Sequence, residues 1–151
     1  MKTIYFDMDG TIADLYGQNN WLERLKNEEP GLYETANPLV DLGILKEKLE
    51  LLKEKGFKIK VITWLAKGVS NNYHTIVTEE KLNWLEKIGV EFDDIHIVRY
   101  GTEKHNVPVD IEKDILFDDN ADVRLNWELN GGVALDEKDI LGKLNEILRV
   151  A

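Results

Sequence analysis

Lys2-Thr3-Ile4-Tyr5-Phe6-Asp7-Met8-Asp9-Gly10-Thr11-Ile12-Ala13-Asp14 is the stretch that decides the fold. Thr3 to Phe6 are strong strand formers without the alternation of a half-exposed strand. Such a run belongs in a sheet covered on both faces, the usual setting of parallel strands. It stops abruptly at Asp7, and Asp9-Gly10 follows as a turn. Gly10 allows the tight bend that aims two nearby acids at one point.

The pattern recurs downstream. Phe57 to Ile62 alternates, then turns continuously apolar and ends at Thr63. Ile95–Val98, Asp114–Phe117 and Val133–Leu135 read as three more strands, and Asp114–Phe117 runs straight into Asp118-Asp119. Helical patterns separate them. Leu42 to Lys55 places Leu42, Leu45, Leu49 and Leu52 on one face, with Gly56 as the stop. Thr78 to Ile88 places Leu82, Leu85 and Ile88 inward before Gly89. Asn120 to Leu129 makes a short helix. Glu137 to Arg149 closes the chain with Ile140, Leu141, Leu144, Ile147 and Leu148 inward. This order predicts one α/β domain: a doubly wound, Rossmann-like parallel sheet of five strands with helices on both faces. Residues 15–41 interrupt it with Trp21, Leu22, Leu25, Pro30-Gly31 and Asn37-Pro38. They read as a small cap insertion over the sheet edge.

Composition narrows the function classes. The chain has 151 residues, 43% hydrophobic and 32% charged, which excludes a disordered chain. Nineteen basic and 29 acidic residues leave a net charge of −10. That argues against a long nucleic acid or an anionic membrane surface as partner. With no cysteine, disulfides, zinc–thiolate sites and thiol nucleophiles are excluded. Ile4-Tyr5-Phe6 is too short for a signal-peptide core, and no apolar run approaches the roughly 20 residues of a membrane span. The expected location is cytoplasmic.

In open α/β sheets ligands bind beyond the carboxyl ends of the strands. Asp7 with Asp9, Thr63, and Asp118 with Asp119 all fall at such ends. Carboxylates that converge repel one another unless a cation or a proton relieves them. Oxygen donors without His or Cys suit magnesium.

Asp7-Met8-Asp9-Gly10-Thr11-Ile12-Ala13-Asp14 resembles the signature of the haloacid dehalogenase superfamily of phosphatases. Val61-Ile62-Thr63 looks like its second motif, Lys104 falls where its lysine is expected, and Ile115-Leu116-Phe117-Asp118-Asp119 looks like its acidic fourth motif. The resemblance implies a phosphomonoester hydrolase. Asp7 would be the nucleophile and Asp9 the general acid and base. Thr63 would bind a phosphoryl oxygen, and Lys104 would offset charge. It implies Mg2+ held by Asp7, Asp118 and the Asp9 backbone, with Asp119 on a metal-bound water. Asp122 competes with Asp119, because Asp118 and Asp122 are also spaced as a family variant. Gly10, Thr11 and Trp64 would contact substrate, a small phosphorylated molecule. The first motif and Asp118-Asp119 are also similar to 5′(3′)-deoxyribonucleotidases, which points to a nucleoside 5′-monophosphate. Their cap is fuller, and Trp64-Leu65 departs from their second motif.

Rival readings attach to several residues. A phosphoacceptor signalling domain carries its acidic pair first and its lysine last, the reverse of this order. A non-catalytic Mg2+- or phosphate-binding module on the same fold keeps all the same residues, and a sugar phosphate is an alternative substrate. Lys113 rivals Lys104 but sits too close to the fourth strand. Asp14 reads equally as a cap or loop brace. His74, His96 and His105 form no ligand pattern. Trp21, Trp64 and Tyr73 read as core or as stacking surfaces. Lys67 reads as solvated surface or as a group that steers an anion.

Overall fold

The computed structural model describes residues 2–151. Five strands form one sheet in the order β5-β4-β1-β6-β7, every pairing parallel: β1 Thr3–Phe6, β4 Lys58–Trp64, β5 Asp94–Val98, β6 Ile115–Phe117 and β7 Val133–Leu135. A two-stranded antiparallel ribbon, β2 Ala13–Asp14 with β3 Asn37–Pro38, closes the base of the insertion around α1 Trp21–Lys26. The remaining helices are α2 Leu42–Glu54, α3 Asn71–Glu86, α4 Ala121–Leu129 and α5 Ile140–Val150. The doubly wound α/β sheet expected from the sequence is the fold observed.

Alternation along the strands sorts the helices onto two faces. Ile4 and Phe6 of β1 and Ile115 and Phe117 of β6 bury against Leu45, Leu49, Trp84, Leu85, Ile140 and Leu144 of α2, α3 and α5. Tyr5 and Leu116 point the other way, onto Trp127 of α4 and Ile111. The Phe6 and Phe117 rings stack at 5.1 Å between centroids, which ties the two motif-bearing strands together just below their acidic ends. Among the described residues, no helix is long and apolar enough to cross a membrane.

Several boundaries move. Helix α3 begins at Asn71, seven residues before the expected Thr78, on a Ser70 cap whose hydroxyl accepts from the Tyr73 amide. Its polar first turns hide the pattern, because only Tyr73 and Val77 carry the buried face there. The phase also differs: Leu82 is exposed, and Glu80, Lys81 and Trp84 take the inward positions with Leu85 and Ile88. The strand expected over 57–62 runs through Trp64. Asn120 caps α4, its side chain accepting from the Asp122 and Val123 amides, and Asp139 caps α5. The insertion does not lie on the sheet edge. Leu15, Leu32 and Tyr33 pack with Ala66, Tyr73 and Val77, so it sits on α3 and the loop after β4, above the carboxyl end of the sheet.

Candidate active site

Parallel register brings three strand ends together. The Asp7 amide donates to the Phe117 carbonyl and the Asp118 amide to the Leu135 carbonyl, so β1, β6 and β7 end in step. The Asp7, Asp118 and Asp119 carboxylates each offer an oxygen within 4.8 Å of the other two. Lys104, on a single 3-10 turn over Lys104–Asn106, reaches in from the β5–β6 connection. Its Nζ donates to Asp7 Oδ1 at 2.8 Å and Asp118 Oδ2 at 2.7 Å. Burial opposes a charge on Lys104, but Asp7 and Asp118 outweigh it and raise its pKa above the ordinary lysine value.

One lysine does not neutralise three acids. Burial, then the nearby Asp7 charge, pushes the Asp118 carboxyl up to about 6. The same two causes push Asp119 up to about 8. Oxygen-only donors with surplus negative charge fit a hard divalent ion such as Mg2+, and nothing in the set favours a softer metal. Asp122 lies exposed on the first turn of α4, outside this cluster. Asp119 is therefore the acid placed beside Asp118.

The loop after β1 is tightly wound. The Thr11, Ile12 and Ala13 amides all point at the Met8 carbonyl, and Gly10 turns with φ +81°. A Cβ on Gly10 would stand 2.3 Å from Asp119 Oδ2, so only glycine lets the two loops meet. Thr11 is buried, contrary to its expected role as a substrate contact. Its hydroxyl donates to Asp7 Oδ2 at 2.8 Å and accepts from the Asp119 amide at 3.1 Å, which braces the acids from behind. Asp14 accepts from the Gly17 amide, a local loop brace.

Thr63 and Asp9 share a partner that sequence reading missed. Lys81 of α3, fully buried, donates to Asp9 Oδ2 at 2.8 Å, Thr63 Oγ1 at 2.6 Å and the Trp64 carbonyl at 2.9 Å. Burial raises the Asp9 pKa above the ordinary carboxylate value, with Lys81 opposing. The missed signal was phase. Lys81 stands four residues after Val77 and four before Leu85, on the buried stripe.

Above the acids opens a cavity of about 660 Å³ lined on one side by Tyr16, Trp21 and Leu22 of the insertion and on the other by Trp64, Lys67 and Tyr100. Trp64 is anchored by its Nε1 donating to the Thr102 carbonyl at 2.9 Å, and its ring lies 5.2 Å from Lys104 Nζ. Tyr16 packs edge-on against Trp21, and Tyr100 tilts against Trp64. Neither tyrosine had a sequence signal, since each comes from an irregular loop. The other sequence candidates lie outside the site. Lys113 is exposed, Tyr73 is buried with its hydroxyl on the Glu29 carbonyl, and His96 pairs with Asp94 on β5.

The insertion is tied down by one side chain. Glu80 accepts from the Gly31 amide at 2.8 Å, the Tyr33 amide at 3.0 Å and the Glu34 amide at 3.2 Å.

Comparison with solved structures finds the same architecture in two proteins. The D,D-heptose 1,7-bisphosphate phosphatase from Burkholderia thailandensis matches with a TM-score of 0.60 at 11% identity, over 98% of this chain and 99% of that one. A chain of the Pnkp1/Rnl/Hen1 RNA repair complex matches with a TM-score of 0.56 at 18% identity, over 92% of this chain and 43% of that one. This chain thus spans less than half of that component. At such identities the likeness is one of fold alone. No protein-family profile matches the chain. No curated protein matches it either.

Proposed function

We propose that the protein is a Mg2+-dependent phosphomonoester hydrolase that works through an aspartyl phosphate on Asp7. The observation that carries this reading is the convergence of Asp7, Asp118 and Asp119 around Lys104, with Asp9 beside them at the floor of an aromatic-walled cavity. Asp7 attacks phosphorus in line, a P–O bond to Asp7 forms, and the bond to the leaving oxygen breaks. Asp9 gives that oxygen its proton. In the second half Asp9 takes a proton from water as the water attacks phosphorus, and inorganic phosphate leaves Asp7. Thr63, expected to bind a phosphoryl oxygen, is fully buried and outside the cavity lining, with its Oγ1 accepting from Lys81, so in this reading it braces Lys81 instead. Asp7, Asp118 and the Asp9 backbone carbonyl would hold Mg2+ and Asp119 a water on it. The ion supplies neutralisation of the phosphoryl charge.

The substrate in this reading is a small phosphorylated molecule, and a nucleoside 5′-monophosphate suits it best. Trp64 and Tyr100 on one wall and Tyr16 and Trp21 on the other offer flat apolar faces to a base. A sugar phosphate is the second reading, favoured by the likeness to a heptose bisphosphate phosphatase. The test is hydrolysis of p-nitrophenyl phosphate, nucleoside monophosphates and hexose phosphates, each with Mg2+ and with EDTA. Mg2+-dependent turnover abolished by Asp7→Asn is expected, with nucleotides fastest. No turnover on a broad panel refutes the hydrolase. Equal, weak rates on all classes refute the nucleotide preference.

A further inference from the structure

We infer that Lys81 is a positioning residue that holds Asp9 in its acid–base place, outside the metal-binding cluster. The inference rests on the phosphatase reading above and on four observations independent of it. First, the ammonium group has three donors, and all three are used inside the protein, on Asp9, Thr63 and the Trp64 carbonyl. Lys81 is 0% exposed and does not line the cavity, so it has no donor left for a substrate. Its effect on chemistry must pass through Asp9.

Second, the acids are partitioned. Asp7, Asp118 and Asp119 lie within reach of one ion, and the Asp9 carboxylate is not among them. Two residues from Asp7 on a tight loop, a free Asp9 side chain would be drawn to the same cation. The 2.8 Å pair to Lys81 pulls it the other way, toward Thr63. Third, only one Asp9 oxygen is engaged. Oδ2 accepts from Lys81, and among the described residues Oδ1 has no hydrogen-bond donor, while Asp9 lines the cavity. One oxygen is fixed and the other faces the place where a leaving group departs.

Fourth, the lysine is itself held. The Tyr33 ring of the insertion covers the ammonium at 5.1 Å, and the neighbouring Glu80 binds the backbone on both sides of Tyr33. A buried lysine loses all of its water, so this placement persists only because every donor is matched.

The test separates acid catalysis from general damage. p-Nitrophenolate leaves without a proton, whereas the alkoxide of glycerol phosphate needs one. Lys81→Met is expected to lower kcat/KM on glycerol phosphate about 100-fold, the usual contribution of a placed general acid, and on p-nitrophenyl phosphate less than about threefold. In an Asp9→Asn background the same change is expected to cause no further loss. Metal-free thermal melts give a readout besides activity: the double variant should melt no lower than Lys81→Met alone, because Lys81→Met already removes the Lys81–Asp9 pair. Should Lys81→Met not fold, Lys81→Arg keeps the buried charge, misplaces its donors, and is judged by the same leaving-group ratio. Equal losses on both substrates, or additive losses with Asp9→Asn, overturn the inference while leaving the hydrolase standing. Wild-type protein that cleaves neither substrate overturns the hydrolase itself.

Discussion

Replacing Lys104 by Met removes the one cation shared by Asp7 and Asp118 and keeps most of the volume. Lys104 is 3% exposed, and its two ion pairs are 2.8 and 2.7 Å long. Breaking a buried pair from one side costs about 3–5 kcal/mol, because the partner charge stays buried and unmatched. For a domain of this size each kcal/mol moves Tm by about 2–4 °C, so a fall of about 10 °C is expected for metal-free protein at pH 8.

The fall must depend on pH, and its sign is fixed. The Lys104 pKa lies above its unfolded value, so its contribution is fully present below about 10 and does not change between pH 5 and 8. Asp118 and Asp119 titrate instead, at about 6 and about 8. At pH 5 both are largely protonated, and Lys104 then faces Asp7 alone. The expected loss at pH 5 is about half that at pH 8. Thermal unfolding followed by circular dichroism in EDTA at the two pH values measures both. An equal fall at pH 5 and pH 8 would mean that Lys104 matters for packing and not for charge. A fall under about 3 °C at pH 8 would refute the electrostatic account altogether.

Three further outcomes follow from the same geometry. The wild-type protein without metal should lose stability as pH rises from 5 to 8, because carboxyls raised in the folded state favour folding only while protonated; Mg2+ should restore the loss, and melts with and without the ion decide it. Glu80→Ala strips three backbone amides of their acceptor, so hydrogen exchange should rise in residues 29–36 while β1 and β4 stay protected; unchanged exchange there would refute the role of Glu80 as an anchor. Gly10→Ala forces a side chain to within 2.3 Å of Asp119 Oδ2 at φ +81°, so Mg2+ affinity measured by calorimetry should fall at least about tenfold, and an unchanged affinity would count against Asp119 at the ion.

Much of this site was legible because it lies on strand ends. Asp7, Thr63 and Asp118 each follow a continuous apolar run, and a parallel sheet can only bring such ends to one edge. Lys104 was legible through its place before β6. Lys81 was not. It sits seventeen residues past Trp64, on a helix whose first two turns carry Asn71, Asn72, His74 and Thr75, residues that hide a helical stripe. A lysine on that stripe reads as surface, because exposed lysines are the rule. The insertion was legible as an interruption but not in its docking, which depends on a glutamate, Glu80, meeting three amides far away in sequence. Leu82 was misplaced for the same reason: the phase of α3 is set by Tyr73, Val77 and Trp84 and not by the leucines.

The two lysines also account for the charge of the site. Asp7, Asp9, Asp118 and Asp119 bring four negative charges when ionised, and Lys81 and Lys104 bring two positive ones. The remainder is two, the charge of a single divalent cation. Burial and then the Asp7 charge raise the Asp118 and Asp119 carboxyls, so without a cation protons would supply part of this remainder. A phosphate dianion entering without the ion meets four acids and finds a single uncommitted lysine donor, the third on Lys104. Phosphate and Mg2+ should therefore bind with strong positive coupling, each raising the affinity for the other by the same factor. Calorimetric titration of inorganic phosphate at pH 8 is expected to give heat with Mg2+ present and none in EDTA. Equal binding in both conditions would show that the charge balance lies elsewhere in the chain.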